Sequence, residues 1–290
     1  MKKTFSLVGI TFGCLLFLAI PFAFVRVTDA GAAHDWQVLA PGMEVKFVPI
    51  SRANAAEHER ITIVRIDAHL WELQATGASR TGENANHTAR EWCEVQGLTA
   101  AINAGMFKTD GKTHVGLMRF REHANNGKVN NYQSVAAFDP HDPNAAPFHI
   151  FDLDTPGVTI QSILTDYDSA VQNLRLIKRP GSNQWSKQDR MWSEAALGED
   201  YAGRVLFIFS RTALSMHDLN EEMLAAGIGI VAAQHLEGGP EAQLYVRAGG
   251  FTLEQFGSYE TSFHEDDSNA TPWPIPNVLG VRLRESNPKQ

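Results

Sequence analysis

Apolar residues recur along this chain mostly with a period of two or in short unbroken runs, the pattern of β-strands. Glu44–Ile50, Arg60–Asp67 and His69–Ala75 read as early strands, and the apolar residues of Ile61–Ile66 are mostly β-branched, which suits a pleated surface. The first helix starts at Thr88. There Thr88-Ala89-Arg90-Glu91 has the spacing of a capping box, and Gly97 supplies the stop. Leu98–Ile102 follows as a strand and runs into Asn103-Ala104-Gly105-Met106-Phe107. From Phe120 to Pro156 turns dominate, with strands at Tyr132–Phe138 and Phe148–Phe151 between them. Arg204–Ser210 is the strongest strand, an apolar run that predicts burial on both faces. Ser215 caps the next helix, Met216–Ala226, in which Met216, Leu219, Met223 and Leu224 share one face. Gly227 closes it and Ile228–Ala233 is a second buried strand. Strand, helix and strand over 204–234 predict one βαβ unit. The fold expected is therefore α+β (α/β mixed): a single domain on a central mixed β-sheet with flanking helices.

The N-terminus breaks this pattern. Lys2 and Lys3 precede an uncharged run from Thr4 to Val25, and Ala30-Gly31-Ala32 offers a small-x-small cleavage site. Residues 1–33 thus read as an export signal, cleaved or retained as an anchor through residues 5–25, with residues 34–290 as the exported domain and about 60–284 as its core. Either outcome implies a periplasmic or extracellular domain, free or held at the inner membrane. Without Lys2, Lys3, Arg26 and Asp29, the chain's 25 basic and 33 acidic residues fall to 22 and 32, a net charge of −10. Such a surface repels phosphate backbones and argues against a nucleic-acid partner. Cys93 is the single cysteine left in the body. It has no partner for an intramolecular disulfide and reads as a buried thiol.

Four segments combine strand ends with polar or glycine residues. In Asn103–Phe107, small residues would admit a ligand to the backbone and Asn103 offers a donor and an acceptor, although a plain turn has the same composition. His235-Leu236-Glu237-Gly238-Gly239-Pro240 places a carboxylate before two glycines at the end of a buried strand, a way to build a site as well as a turn. Glu194 stands alone among apolar neighbours in Trp192–Asp200, where it needs a partner, a function or a solvent-facing side. Pro274–Val281 is a final strand entered by a stiff turn, with Asn277 at its start. Histidine and aspartate cluster at 139–154 and 264–267, but neither has the spacing of a zinc site or an EF-hand. No metal site or cofactor is expected, though a divalent cation is left open. Gly-x-Ser-x-Gly, P-loop and Gly-x-Gly-x-x-Gly signatures are absent.

The order of these segments resembles the phosphodiester glycosidase family. The resemblance is carried by Asn103–Phe107, Glu194–Gly198, Glu237–Gly239 and Asn277–Gly280 over roughly residues 60–284. It implies cleavage of a sugar phosphodiester, or a related envelope glycan, at the anomeric carbon, with a carbohydrate or sugar phosphate as partner. It implies Glu237 as the catalytic carboxylate or water-activating base, and Glu194 becomes its catalytic partner where the two act as the carboxylate pair of an ordinary glycosidase. Asn103, Gly105, Phe107, Gly238, Gly239 and Asn277 are the implied substrate contacts, and Arg211, just after the strand Arg204–Ser210, and His217, near the following helix N-terminus, are candidate phosphate or carboxylate binders. The family's acidic turn carries Asp where this chain has Glu237, and Arg where it has Glu194. Two readings stand beside this one: an ordinary two-carboxylate glycosidase, and a glycan-binding protein without catalysis.

Overall fold

The computed structural model describes residues 36–51, 59–82 and 85–285. The expected export segment, residues 1–33, lies outside them. Among the described residues no helix is long and apolar enough to cross a membrane.

The elements in chain order are β1 (Gln37–Ala40), β2 (Met43–Pro49), β3 (Arg60–Ile66), β4 (Trp71–Gly77), α1 (Ala78–Thr81), α2 (Ala89–Gln96) and β5 (Ala100–Asn103). There follow β6 (Met118–Phe120), β7 (His123–Asn126), β8 (Ser134–Pro140), β9 (Phe148–Asp152), α3 (Ile160–Asp166), β10 (Tyr167–Lys178) and β11 (Ser182–Asn183). The last are β12 (Trp192–Asp200), β13 (Val205–Leu214), α4 (Met216–Ala225), β14 (Ile230–Gly238), β15 (Gln243–Ala248), β16 (Phe251–Phe256) and β17 (Asn277–Leu283).

The strands form two sheets. The larger runs β1-β2-β3-β13-β12-β14-β10-β6-β7, with β8, β9 and β11 attached through β10; the smaller runs β16-β15-β5-β17-β4. The largest core joins their inner faces: Val64, Phe207, Leu197 and Leu236 from one, Leu73, Ile102, Leu244 and Leu279 from the other. Burying Phe207 and Phe209 there contributes about 1.5–3 kcal/mol each. Helix α4 covers the outer face of the large sheet, packing Met216, Leu219 and Met223 on Ile63, Leu206 and Ile208. Helix α2 covers the small sheet with Trp92 and Cys93. Cys93 is free, and burial pushes its thiol pKa far up.

The capping box of α2 is complete, with Thr88 accepting from the Glu91 amide and Glu91 from that of Thr88. Two expectations need correction. Every strand pair among the described residues is antiparallel, so the sheets are not mixed and the fold is dominated by strands. Strands β13 and β14 do run parallel with α4 between them, but β12 lies between the two and pairs with both. The connection is thus a crossover over one strand rather than a βαβ unit of neighbours. Burial of β13 on both faces follows from the second sheet on one side and α4 on the other, not from parallel pairing.

Candidate active site

The carboxyl end of β14 meets the start of β12. Glu194 lies opposite Gly238, Ala195 opposite Glu237 and Ala196 opposite His235. A bulge leaves Leu236 as the extra residue on β14, and its side chain enters the core between the sheets. Glu194 and Glu237 therefore sit one step apart on paired strands, where opposed residues lie about 5 Å apart.

Glu194 is 1% exposed and both its oxygens are taken. Oε1 accepts from His235 Nδ1 at 2.5 Å and Oε2 accepts from Trp192 Nε1. The Trp192 ring meets the imidazole edge-on at 6.2 Å. Burial pushes the Glu194 carboxyl above its usual range, against the pull of His235 and Trp192. Burial also disfavours charge on His235, yet Glu194, followed by Glu237 and Glu260, holds the imidazole pKa above its ordinary value. The lone carboxylate of the sequence thus has its partner on the next strand.

Glu237 is half-buried, and its Oε1 accepts from the Gly238 amide at 3.1 Å. Burial, reinforced by Glu241 and Glu260, raises its pKa to about 8 despite the opposing pull of His235 and the Gly238 N–H. That shift favours the protonated form of the side chain near neutral pH. Glu241 and Glu260 are raised as well, burial being the main cause in each. Tyr132 stands near enough to Glu237 for that charge to add to the effect of burial on its hydroxyl.

Backbone contacts bring Glu260 in. Segment 257–261 runs beside the start of β12, through Ser193 N to Tyr259 O at 2.8 Å and Thr261 N to Met191 O at 3.0 Å. Gly239 has φ +63°, and a Cβ there would lie 2.5 Å from Glu260 Oε2, so only glycine admits this approach.

Asn103 and the 238–241 turn come together as expected, but the Asn103 side chain is engaged in holding that turn. Its Nδ2 donates to Glu241 O at 2.9 Å and its Oδ1 accepts from Gln243 N at 2.7 Å. Gly105 is buried against Asn173 and His114, within a chain of polar contacts that runs from His114 through Asn173 and Gln234 to Ser134. Phe107 is half-buried and bridges to His114.

The side chains of Arg211, His217 and Asn277 make their hydrogen bonds elsewhere, although the backbone oxygens of Arg211 and Asn277 accept from Ser193 Oγ at 2.7 Å and Ala104 N at 3.2 Å. Arg211 donates to Asp267 Oδ1, Phe256 O and Asn269 O, so its guanidinium clasps the 256–269 segment. It lines a cleft of about 410 Å³ with Arg60, Met191, Thr212 and Tyr259. His217 Nδ1 is bonded to Trp185 O at 2.7 Å. Asn277 donates to Lys112 O at 3.0 Å and accepts from Asn125. Among the described residues no group of three or more His, Cys, Asp or Glu is placed to hold a metal ion.

Sequence reasoning assigned no role to His235, Trp192, Glu241, Glu260 or Tyr132. The one usable signal was Glu194 itself, since a carboxylate in an apolar strand demands a partner.

The family model of phosphodiester glycosidases matches residues 96–282. The chain belongs to this family. No curated protein matches it by sequence. Among solved structures, the fold resembles the catalytic domain of zebrafish N-acetylglucosamine-1-phosphodiester alpha-N-acetylglucosaminidase, auto-inhibited by its pro-peptide, with TM-score 0.61, 14% identity and 87% of each chain covered. A hypothetical protein from Synechocystis aligns with TM-score 0.58 and 14% identity, over 84% of this chain and 63% of that one. A Burkholderia pseudomallei protein described as exported aligns at 0.51 and 11% identity, over 80% and 76%. At these identities the likeness is one of fold. The matched span includes Glu194, His235, Glu237 and both site glycines.

Proposed function

We propose that this chain hydrolyses a sugar phosphodiester at the anomeric carbon, with Glu237 as the proton donor, and that it does so outside the cytoplasm. The reading is supported by one observation above all. A chain of the phosphodiester glycosidase family gathers Glu194, Glu237 and Glu260 around His235 at the end of β14, with Glu241 near enough to act on Glu237. A phosphate ester is a good leaving group, so the transition state needs stabilised charge more than strong acid catalysis.

In this mechanism the bond between the anomeric carbon and the phosphate oxygen breaks, and its electron pair stays on that oxygen. Glu237, protonated at neutral pH, donates its proton there. Water adds to the oxocarbenium-like carbon and gives up a proton to a neighbouring carboxylate, for which half-buried Glu260 is the candidate. A neutral Glu237 also avoids repelling the anionic substrate. Glu194, with both oxygens occupied, orients His235 rather than attacking the sugar. No metal is required by this scheme. The N-terminal basic residues and apolar run support export.

The test is incubation of the protein with the methyl phosphodiester of N-acetylglucosamine 1-phosphate, reading free sugar and methyl phosphate. Both products are expected, and Glu237→Gln is expected to lower kcat at least 100-fold while the protein stays folded. Saturable binding of the sugar without product would favour glycan binding and overturn the reading.

A further inference from the structure

We infer that His235 is the cation that meets the substrate phosphate, and that Glu194 is its positioning residue. This rests on the phosphodiester reading above. A phosphodiester entering this turn meets carboxyl groups on most sides: Glu194 from β12, Glu237 from β14, Glu241 just after it, and Glu260 from the 257–261 segment. On β10, the residue opposite His235 is Leu174, which carries no charge. Arg190, an exposed side chain, is a cation that acts on Glu260.

His235 has the attributes that such a contact needs. It is 4% exposed. Its Nδ1 is fixed to Glu194, whose second oxygen is anchored by Trp192, so the ring has one orientation. Its Nε2 makes no hydrogen bond to a described residue and is not sealed from water. A largely buried imidazolium with one N–H spent on a carboxylate and the other reached only by water can exchange that water for an anionic acceptor. The arrangement matches the way a carboxylate selects the tautomer and orientation of a histidine that works through its other nitrogen. An anionic oxygen at Nε2 would form a charge-assisted bond in a site of low polarity. The same geometry makes affinity for the diester depend on the charge of one side chain.

The experiment uses the full chain carrying Glu237→Gln, which removes turnover and the titration of Glu237 together. Its affinity for the methyl phosphodiester of N-acetylglucosamine 1-phosphate is measured by calorimetry from pH 5.5 to 9.5, beside neutral methyl N-acetylglucosaminide. The diester is expected to bind at least tenfold more weakly at the alkaline end, and the neutral glycoside equally throughout. Adding Glu194→Gln should move the midpoint to lower pH. Adding His235→Gln should abolish most of the pH dependence, leaving only the residue due to Glu241 and Glu260. Nitrogen NMR of His235 reports the contact without that last substitution: the Nε2 resonance should shift when the diester is added and stay in place with the neutral sugar. Diester binding that ignores pH, or an Nε2 signal unmoved at saturation, overturns the inference and leaves the hydrolase reading standing. Neither binding nor turnover of the diester by a folded protein overturns both.

Discussion

Replacing Glu237 with glutamine should stabilise this protein, and increasingly so as pH rises. The unfolded chain loses this proton near pH 4.5, whereas the folded chain keeps it to about 8. Between those values the folded state binds more protons than the unfolded one, so stability falls with rising pH. Below about pH 4.5 both states are protonated and the group contributes no penalty. Each pKa unit is worth about 1.4 kcal/mol, so a shift of that size costs at most about 5 kcal/mol above pH 8. The side chain is half-buried, so solvent screening lowers this ceiling, while the pull of His235 is already contained in the value of about 8. About 2–5 kcal/mol is therefore the expected gain for Glu237→Gln at pH 9, and near zero at pH 4.5. For a body of this size that corresponds to roughly 5–15 °C in Tm. The assay is thermal unfolding of both proteins at pH 4.5, 6, 7.5 and 9. The Tm difference should open between pH 4.5 and 8 and then level off. A difference that is constant across the series, or that closes as pH rises, would refute the reasoning, because it would mean the carboxyl is ionised in the fold at neutral pH.

Gly105 has φ +147°, and a Cβ there would collide with Asn173 and His114. Gly105→Ala should cost about 2–4 kcal/mol or prevent folding, read as a fall in Tm; a change under about 2 °C would show that Asn173 and His114 yield. Arg211→Ala should free the 256–269 segment, with amide exchange at 257–269 at least tenfold faster and the diester KM unchanged. A raised KM with unaltered exchange would instead make Arg211 a phosphate ligand.

Local signals were legible where neighbours in sequence are also neighbours in space. The Thr88–Glu91 capping box and the Ser215 cap are satisfied within four residues, so both helices start where the spacing predicts. Long-range polar satisfaction hid other elements. Strand β10 gave no alternating signal because Gln172 and Asn173 are fully buried in its middle. Gln172 bonds to the backbone of Asn130 and Tyr132, and Asn173 to Ala104 O. Glu237 and Gly238 read as a turn after the strand, yet they are paired strand residues, because β12 extends the ladder past the bulge.

The site divides the same way. Glu237 and its glycines form one contiguous motif, so the chain alone announces them. Glu194 was conspicuous as a carboxylate in an apolar strand, but its partner lies 41 positions away. What sequence determined here is local: caps, strand-forming runs, glycines at tight approaches, and an ordered set of motifs that marks the family. Only the tertiary structure decided which charges meet. The antiparallel register of β12 on β14 sets Glu194 against His235, and the 257–261 segment brings Glu260 to Gly239. Electrostatic interaction depends on distance and burial, and both are properties of the packed chain. A proton held at Glu237 to about pH 8 is therefore a consequence of the fold and cannot be read from the residue.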